Sequence, residues 1–338
     1  MSLYTDIVAN DINRVICDMR LAILALDGVF DTGLTVLLDT FATANELAAA
    51  RGFASPPCDV SLVGMRRRIR TAHGLSTPVE SASTVRQPDW VVVPALNAKQ
   101  PERLIKALER SDVRDAMAYL RTCNADGIGI AAACIGTFVL AEAGLLDNRD
   151  ATTSWPLAPF FRQRYPTVKL DDSRMVVASD RVVTAGAMMG HLDLALWLVR
   201  QASPELATLV ARFMLVDARS SQAEYIVPDH LAHADPLIAK FERWARDNLS
   251  SGFSLHEVAS VLSVGTRTLQ RRTEAVLGKS PLAFFQDLRI ERARHLVSIG
   301  YDVETIASEV GYADSETLRT LLRRRLGRGV RELRADMR

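Results

Sequence analysis

Cysteine is scarce in this chain of 338 residues: Cys17, Cys58, Cys123 and Cys134 all lie in the first half, and no two form a Cys-x-x-Cys pair. Neither a zinc site nor a disulfide framework is suggested by such spacing, so reduced thiols are expected. Long apolar runs are also missing. No window approaches eighteen uninterrupted apolar residues, and the stretch from Met1 to Asp18 has the wrong composition for a signal peptide, so a cytoplasmic protein with no membrane partner is expected. Net charge is slight, +1, and by itself argues nothing about nucleic acid. What the chain does have is length for two domains and 48% hydrophobic residues, ample for two buried cores.

Divided, the charge becomes informative. From Leu231 to the end there are 18 Lys and Arg against 14 Asp and Glu, and the remainder has 23 against 26. The excess of cations sits where a short phrase occurs twice. Ala259 is followed by Thr268-Leu269-Gln270-Arg271-Arg272 and Leu277-Gly278, and Ala307 by Thr317-Leu318-Arg319-Thr320-Leu321 and Leu326-Gly327. An offset of about 48 residues lies in the range where one repeat equals one supersecondary unit. A duplicated helix-turn-helix is the simplest reading.

Each copy carries the physical marks of that motif. His256 to Leu262 makes a first support helix, with Ser254 as N-cap and Glu257 three residues on. After a break at Ser263 to Gly265, Thr266 to Leu277 places Leu269, Thr273 and Leu277 inside and leaves Arg267, Gln270 and Arg271 together outside. In the second copy Glu304 to Val310 supports and Ser315 to Leu326 reads, with Leu318, Leu322 and Leu326 inside and Ser315, Glu316, Arg319 and Arg323 outside. Pro281 to Ser298 forms a linking helix of roughly 27 Å, close to the ~34 Å between successive major grooves on one face of B-DNA. One chain can thus address two adjacent grooves. A further helix, Pro236 to Asp247, is expected to bury Leu237, Phe241 and Trp244, completing a seven-helix domain.

This half resembles the AraC/XylS family of transcription regulators from Asp235 to about Arg334. The resemblance rests on Leu269-Gln270-Arg271-Arg272, Ser280-Pro281-Leu282, Leu288-Arg289 and Ile306-Ala307-Ser308-Glu309-Val310-Gly311-Tyr312. Leu318 and Leu322 stand where the family has phenylalanines, and Val330 where it has proline. The implied DNA contacts are Arg267, Gln270, Arg271 and Arg272 in the first reader and Ser315, Glu316, Arg319 and Arg323 in the second. Arg323-Arg324-Arg325 with Arg328, Arg331 and Arg334 is a candidate phosphate cluster, a solvated helix face being the alternative.

The first half alternates strands and helices. Arg20 to Leu26, Asp59 to Val63, Trp90 to Val93 and Ile128 to Ala132 read as buried parallel strands, with helices at Gly33 to Ala50 and Pro101 to Arg121. A hairpin over Arg174 to Ala178 and Arg181 to Ala185 and a helix from Gly190 to Gln201 follow. The pattern predicts a doubly wound α/β sheet over residues 18–217, a linker at 218–233, and the all-α domain with two helix-turn-helix units at 234–338. At Ala131-Ala132-Ala133-Cys134-Ile135-Gly136-Thr137 a strand runs straight into a helix through small residues. That junction holds a side chain on a tight turn, where the helix N-terminus would favour a thiolate at Cys134 and the Ile135 amide could meet an anion. A simply buried, apolar Cys134 is the alternative.

This half resembles the PfpI-like branch of the class I glutamine amidotransferase superfamily, with its flavodoxin-like fold, from Met19 to Gln201. The residues that carry the likeness are Trp90-Val91-Val92-Val93-Pro94, the Cys134 junction, Leu140 to Leu146, Ala151-Thr152-Thr153-Ser154-Trp155 and Asp193-Leu194-Ala195-Leu196. Joined to an AraC-type domain, the chain resembles the GlxA group of regulators. Enzymes of the superfamily set a carboxylate and a histidine beside the cysteine; here those positions fall on Gly33 and Ser154, and Ala95 replaces a glycine that frees a backbone N–H. Asp31, His73 and His191 are the remaining candidates for an acid or base.

The expectation is therefore a sequence-specific DNA-binding regulator with no catalytic residue, metal or cofactor assigned. Its partners would be double-stranded DNA, a small-molecule effector, a second copy through the first domain, and RNA polymerase if it activates. Cys134, Ile135, Asn97, Ser154, Trp155 and Asp193 are the expected effector pocket. Alternatives are a structural or dimerising first domain, a redox-sensing thiol, and a cysteine-dependent hydrolase or amidotransferase-like enzyme centred on Cys134.

Overall fold

The structure, a computed structural model, describes residues 19–335 apart from 54, 83, 85–86, 218, 220, 223–224, 227–234 and 327–328, with backbone alone at 325–326 and 333–335. Cys17 and the greater part of the expected linker lie outside the described residues. The chain divides into two compact units. The first comprises the described residues up to Trp155 with Thr167–Gln222, the second Pro156–Pro166 with the described residues beyond Gln222.

In the first unit the strands are β1 (Met19–Leu24), β2 (Cys58–Gly64), β3 (Arg68–Arg70), β4 (Ser76–Pro78), β5 (Glu80–Ser81), β6 (Trp90–Val93), β7 (Gly129–Ala133), β8 (Asp150–Ala151), β9 (Lys169–Leu170), β10 (Val176–Ser179) and β11 (Val182–Ala185). Seven of them form one sheet in the order β10-β11-β7-β6-β1-β2-β5. Only the β10–β11 pair is antiparallel, turning at Asp180 with its φ of 53°. The central strands are apolar on both faces because helices cover both. The helices of this unit are α1 (Asp31–Ala50), α2 (Pro101–Leu108), α3 (Ser111–Ala125) and α4 (Gly136–Glu142), and, numbered in chain order, α6 (Gly190–Ala202) and α7 (Pro204–Phe213) follow α5 (Ala158–Arg164) of the second unit. Leu34, Leu37, Phe41 and Ala44 of α1 join Leu194, Leu198, Leu206 and Val210 of α6 and α7 in one cluster against Leu21, Ile23, Ala131 and Val183. Helices α3 and α4 pack on the sheet through β7.

One expected helix is two. Pro101 to Arg121 breaks at Arg110, whose backbone is extended (φ −65°, ψ 148°). Its guanidinium donates to the Asp27 carbonyl at 2.6 Å and to the buried Asp112 carboxylate at 2.7 and 2.9 Å. Three charge-assisted bonds outweigh one helical residue, and periodicity could not show them.

In the second unit α8 (Pro236–Asp247), α9 (Leu255–Val261), α10 (Thr266–Leu277), α11 (Pro281–Ser298), α12 (Val303–Glu309) and α13 (Ser315–Leu326) are the six helices placed from the sequence, and α14 (Val330–Ala335) follows them. Asp235, Ser254, Ser280 and Asp302 cap four of them through side-chain oxygens. The buried face of α8 is Ile238, Phe241, Glu242 and Ala245; Leu237 and Trp244, expected inside, are only half-buried. Pro236 opens the helix under the Asp235 cap, and Phe241 is buried as expected while Ile238 and Ala245 take the inner places beside it.

Candidate functional site

Two places carry chemistry. In the second unit, α10 buries Leu269, Thr273 and Leu277 and presents Arg267, Gln270, Arg271 and Arg272 to solvent. Thr273 returns its hydroxyl to the Leu269 carbonyl at 2.8 Å, so the one polar side chain on the inner face is satisfied within the helix. On the outer face Gln270 donates to Glu274 at 3.1 Å, and Arg272 reaches the Asp235 cap at 2.6 Å, tying α10 to the start of α8. Arg267 and Arg271 make no hydrogen bond or ion pair among the described residues.

The second reader is more heavily engaged. Leu318 and Leu322 are fully buried, and Asp314 caps α13 by accepting from the Thr317 amide at 2.7 Å. That bond and the Thr317 hydroxyl hold the exposed Asp314 carboxyl below the ordinary carboxylate range. Arg319 lies 3.7 Å from Glu304 and 3.5 Å from Glu316, and Ser315 donates to Glu304 at 3.2 Å. Arg323 is exposed, whereas the side chains of Arg325, Leu326, Arg328 and Arg334 lie outside the described residues.

Between the readers, Arg289 of α11 is buried and donates to the Leu249 and Ser251 carbonyls at 3.0 and 2.5 Å. Its guanidinium lies over the Phe285 and Tyr312 rings at 4.8 and 5.2 Å. A methyl group on Gly311 would come within 2.5 Å of that guanidinium, and φ of 73° there suits glycine. A single cation thus fixes the loop after α8, the linking helix and the turn of the second motif against one another.

The other place is the end of β7. Cys134 has a φ of 55°, the strained left-handed turn expected of an elbow, and its amide donates to the Ala185 carbonyl at 2.8 Å. Gly136 is required beneath it, because a Cβ would overlap the Val93 carbonyl at the end of β6. Ser154 hydrogen-bonds the sulfur, the Thr153 hydroxyl donates to the Cys134 carbonyl at 2.9 Å, and the Lys99 charge acts on the thiol. The expected thiolate is nonetheless overturned. Burial pushes the Cys134 thiol up, and the Ser154, Ile135 and Lys99 contributions only oppose that rise. α4 is a two-turn helix, and its amides do not offset full desolvation.

Asp31, His73 and His191 each hold a partner other than Cys134. Asp31, at the start of α1, accepts from the His73 amide and pairs with His73 Nδ1 at 2.8 Å. Burial raises its carboxyl, and the bonds from Thr71 and His73 outweigh that and lower it. His191 is wholly buried, and burial drops its pKa to about 4. Nδ1 donates to the Met188 carbonyl at 2.8 Å, so Nε2 is the acceptor, and it takes the Ala95 amide at 3.0 Å. A Cβ on Gly33 would lie 2.6 Å from the same Nε2, so Gly33, the position expected to correspond to an enzyme's acid, faces the His191 ring. His191 is therefore neutral with its lone pair occupied.

Of the expected pocket residues, Cys134, Ile135 and Ser154 come together. Asp193 is held by Arg219 at 2.5 Å; burial pushes its carboxyl up, and Arg219 opposes this. Asn97 is exposed, its amide donating to the Gly28 carbonyl at 2.9 Å, and Trp155 is half-buried. Sequence reasoning missed Lys99, Thr153 and Gln222. Gln222, within the expected linker, is fully buried, with Nε2 at 3.1, 3.0 and 3.3 Å from Thr152 Oγ1 and the Thr153 and Arg174 carbonyls. Gly186, directly after β11, was the available signal. No group of three or more metal-ligating side chains occurs among the described residues, and no helix there is long and apolar enough to cross a membrane.

Comparison with known proteins follows the same division. The DJ-1/PfpI family matches residues 19–201, and a helix-turn-helix domain matches residues 258–336. The chain is 25% identical over 213 residues to the HTH-type transcriptional regulator GbdR of Pseudomonas aeruginosa, covering 62% of this chain and 58% of that one. It is 28% identical over 196 residues to the HTH-type transcriptional regulator GlxA of Rhizobium meliloti, covering 55% and 59%. The chain thus spans somewhat more than half the length of these curated relatives. A crystal structure of a ThiJ/PfpI family protein from Pseudomonas syringae superposes with a TM-score of 0.53 at 17% identity, over 76% of this chain and 96% of that one, a likeness of fold.

Proposed function

This chain belongs to the DJ-1/PfpI family, and we propose that it is a sequence-specific DNA-binding transcription regulator whose first unit senses a small molecule without catalysing a reaction. The observation that carries the reading is the exposed set Arg267, Gln270 and Arg271 on a helix whose other face is locked into a core. Arginine and glutamine are the side chains that pair bidentately with guanine and adenine edges in the major groove. Arg272, bonded to Asp235, positions this helix, and Ser315, Glu316, Arg319 and Arg323 of α13 form the second contact set. The partner is double-stranded DNA, with a cytoplasmic location, and a second copy pairs through the first unit.

Sensing, rather than catalysis, is supported by the spent polar groups around Cys134. General-base activation of a thiol needs a partner within hydrogen-bond reach. His191, Asp31 and His73 are bonded elsewhere. Cys134, Ile135 and Ser154 form the floor of the effector cleft, with Asn97, Trp155 and Asp193 toward its rim. The test is genome-wide binding of the intact protein, followed by a salt series on the best site. Specific sites whose affinity falls steeply with salt are expected; weak binding, uniform across sequence, would reject the reading.

The strained elbow at Cys134 favours a second reading, that of a cysteine-dependent hydrolase or amidotransferase-like enzyme. It predicts turnover of amides or carbonyl compounds that vanishes in Cys134→Ser. Purified protein without turnover removes it.

A further inference from the structure

Beyond the end of α7, at the start of the expected linker, the chain returns to the sheet edge that carries Cys134. Arg219 donates to Asp193 and to the Met189 carbonyl, the Ser221 hydroxyl to the Ser173 carbonyl at 2.8 Å, and the Gln222 amide to the same carbonyl at 2.8 Å. The Gln222 side chain enters among Thr152, Thr153 and Arg174. Gly186 lies under it, and a methyl group there would overlap the carboxamide. Thr153 is also the residue that holds the Cys134 carbonyl, and Ala185, which precedes Gly186, accepts from the Cys134 amide. The carboxamide therefore sits at the carboxyl end of β11, beside the elbow.

Two features mark this as a tenancy rather than a finished core. The Gln222 amide has two hydrogens for three oxygen acceptors, and its Oε1 is buried with no hydrogen-bond partner among the described residues. A buried acceptor left unpaired costs stability that an apolar or better-matched side chain would not. We propose that Gln222 is a tethered occupant of the sensor cleft, and that the effector acts by displacing it and so freeing the segment that leads into the helix-turn-helix unit. The inference rests on the sensor reading above. The oxygens that Gln222 fills accept hydrogen bonds, so the competing headgroup is rich in N–H; a primary ammonium has one hydrogen for each of the three.

Two variants of the full chain remove the tenant by independent routes, Gln222→Ala by truncation and Gly186→Ala by filling its seat. In both, hydrogen exchange of the amides at 221–222 should rise at least tenfold, and affinity for the wild-type genomic site should change at least fivefold in the same direction. Methylammonium should raise the same exchange in wild type, and tetramethylammonium, which has no N–H, should not. Release without a change in DNA affinity overturns the coupling, as does a segment that stays protected in Gly186→Ala. Equal effects of the two cations, or no effect of methylammonium, overturn the N–H headgroup. Arg271→Ala separates the two levels: lost site preference in that variant beside unresponsive strap variants rejects this inference alone. If wild type has no specific site, the regulator reading falls and this inference with it.

Discussion

The elbow at Cys134 and the outer face of α10 contain comparable polar chemistry, and they differ in what that chemistry is already bonded to. Of the groups weighed as partners for the cysteine, His191 accepts from Ala95, Asp31 holds His73 and Asp193 holds Arg219, and the thiol itself is raised by burial. On α10 two arginines stand in solvent with an adjacent glutamine. The lesson is that residue type alone does not make a site. A catalytic cleft keeps donors and acceptors in reserve for the reacting atoms; α10 keeps two arginines so, whereas the histidines and carboxylates weighed as partners of Cys134 already hold other groups.

The sharpest break of that contrast is at His191. Its pKa falls from the ordinary 6.5 to about 4 because burial disfavours the cation. Between those values the unfolded chain takes up a proton that the folded chain refuses. Stability present above pH 6.5 is therefore lost as pH falls through the window, by about 3 kcal/mol at most. Urea unfolding at pH 7.5 and pH 4.5 should show this loss in wild type and a much smaller one in His191→Ala. An unchanged pH dependence in the variant would mean that the histidine is not held neutral.

Next comes Gly33. A single methyl at this position meets the His191 ring, so Gly33→Ala should destabilise by about 1–3 kcal/mol despite alanine's better helix propensity. Combining it with His191→Ala should recover most of that cost, and simple additivity of the two changes would show that the ring does not close the acid position. The smallest effect is expected at the second reader. Glu304→Ala releases Arg319 from an exposed pair, and DNA affinity should rise by only about 0.2–1 kcal/mol. A larger gain would place α13 on a par with α10.

Much of this was legible in the sequence. The inner residues of α10, Leu318 and Leu322 of α13, the bounds of the linking helix, the elbow and the hairpin all follow from periodicity, small residues and turn chemistry, because those signals are local. The division into a PfpI-like and an AraC-type half was carried by runs such as Leu269-Gln270-Arg271-Arg272 and the Cys134 junction. What stayed hidden depends on contacts between distant segments. Arg110 breaks a helix by reaching Asp27, 83 residues away. The raised thiol needs the packing around Cys134 to be known, and His191 pairs with an amide 96 residues before it. Gln222 looked like linker because a polar residue after Ser220 and Ser221 gives no local sign of burial.

The most direct test of the central claim is selection from a random duplex pool with wild type, Arg271→Ala and Arg319→Ala under one salt condition. Wild type should enrich a defined sequence. Arg271→Ala should lose about 1–3 kcal/mol at the best site and relax its preference at one cluster of base pairs, while Arg319→Ala loses less. Enrichment of no sequence, or the same sequence enriched equally by all three proteins, would contradict the assignment of the reserve to α10.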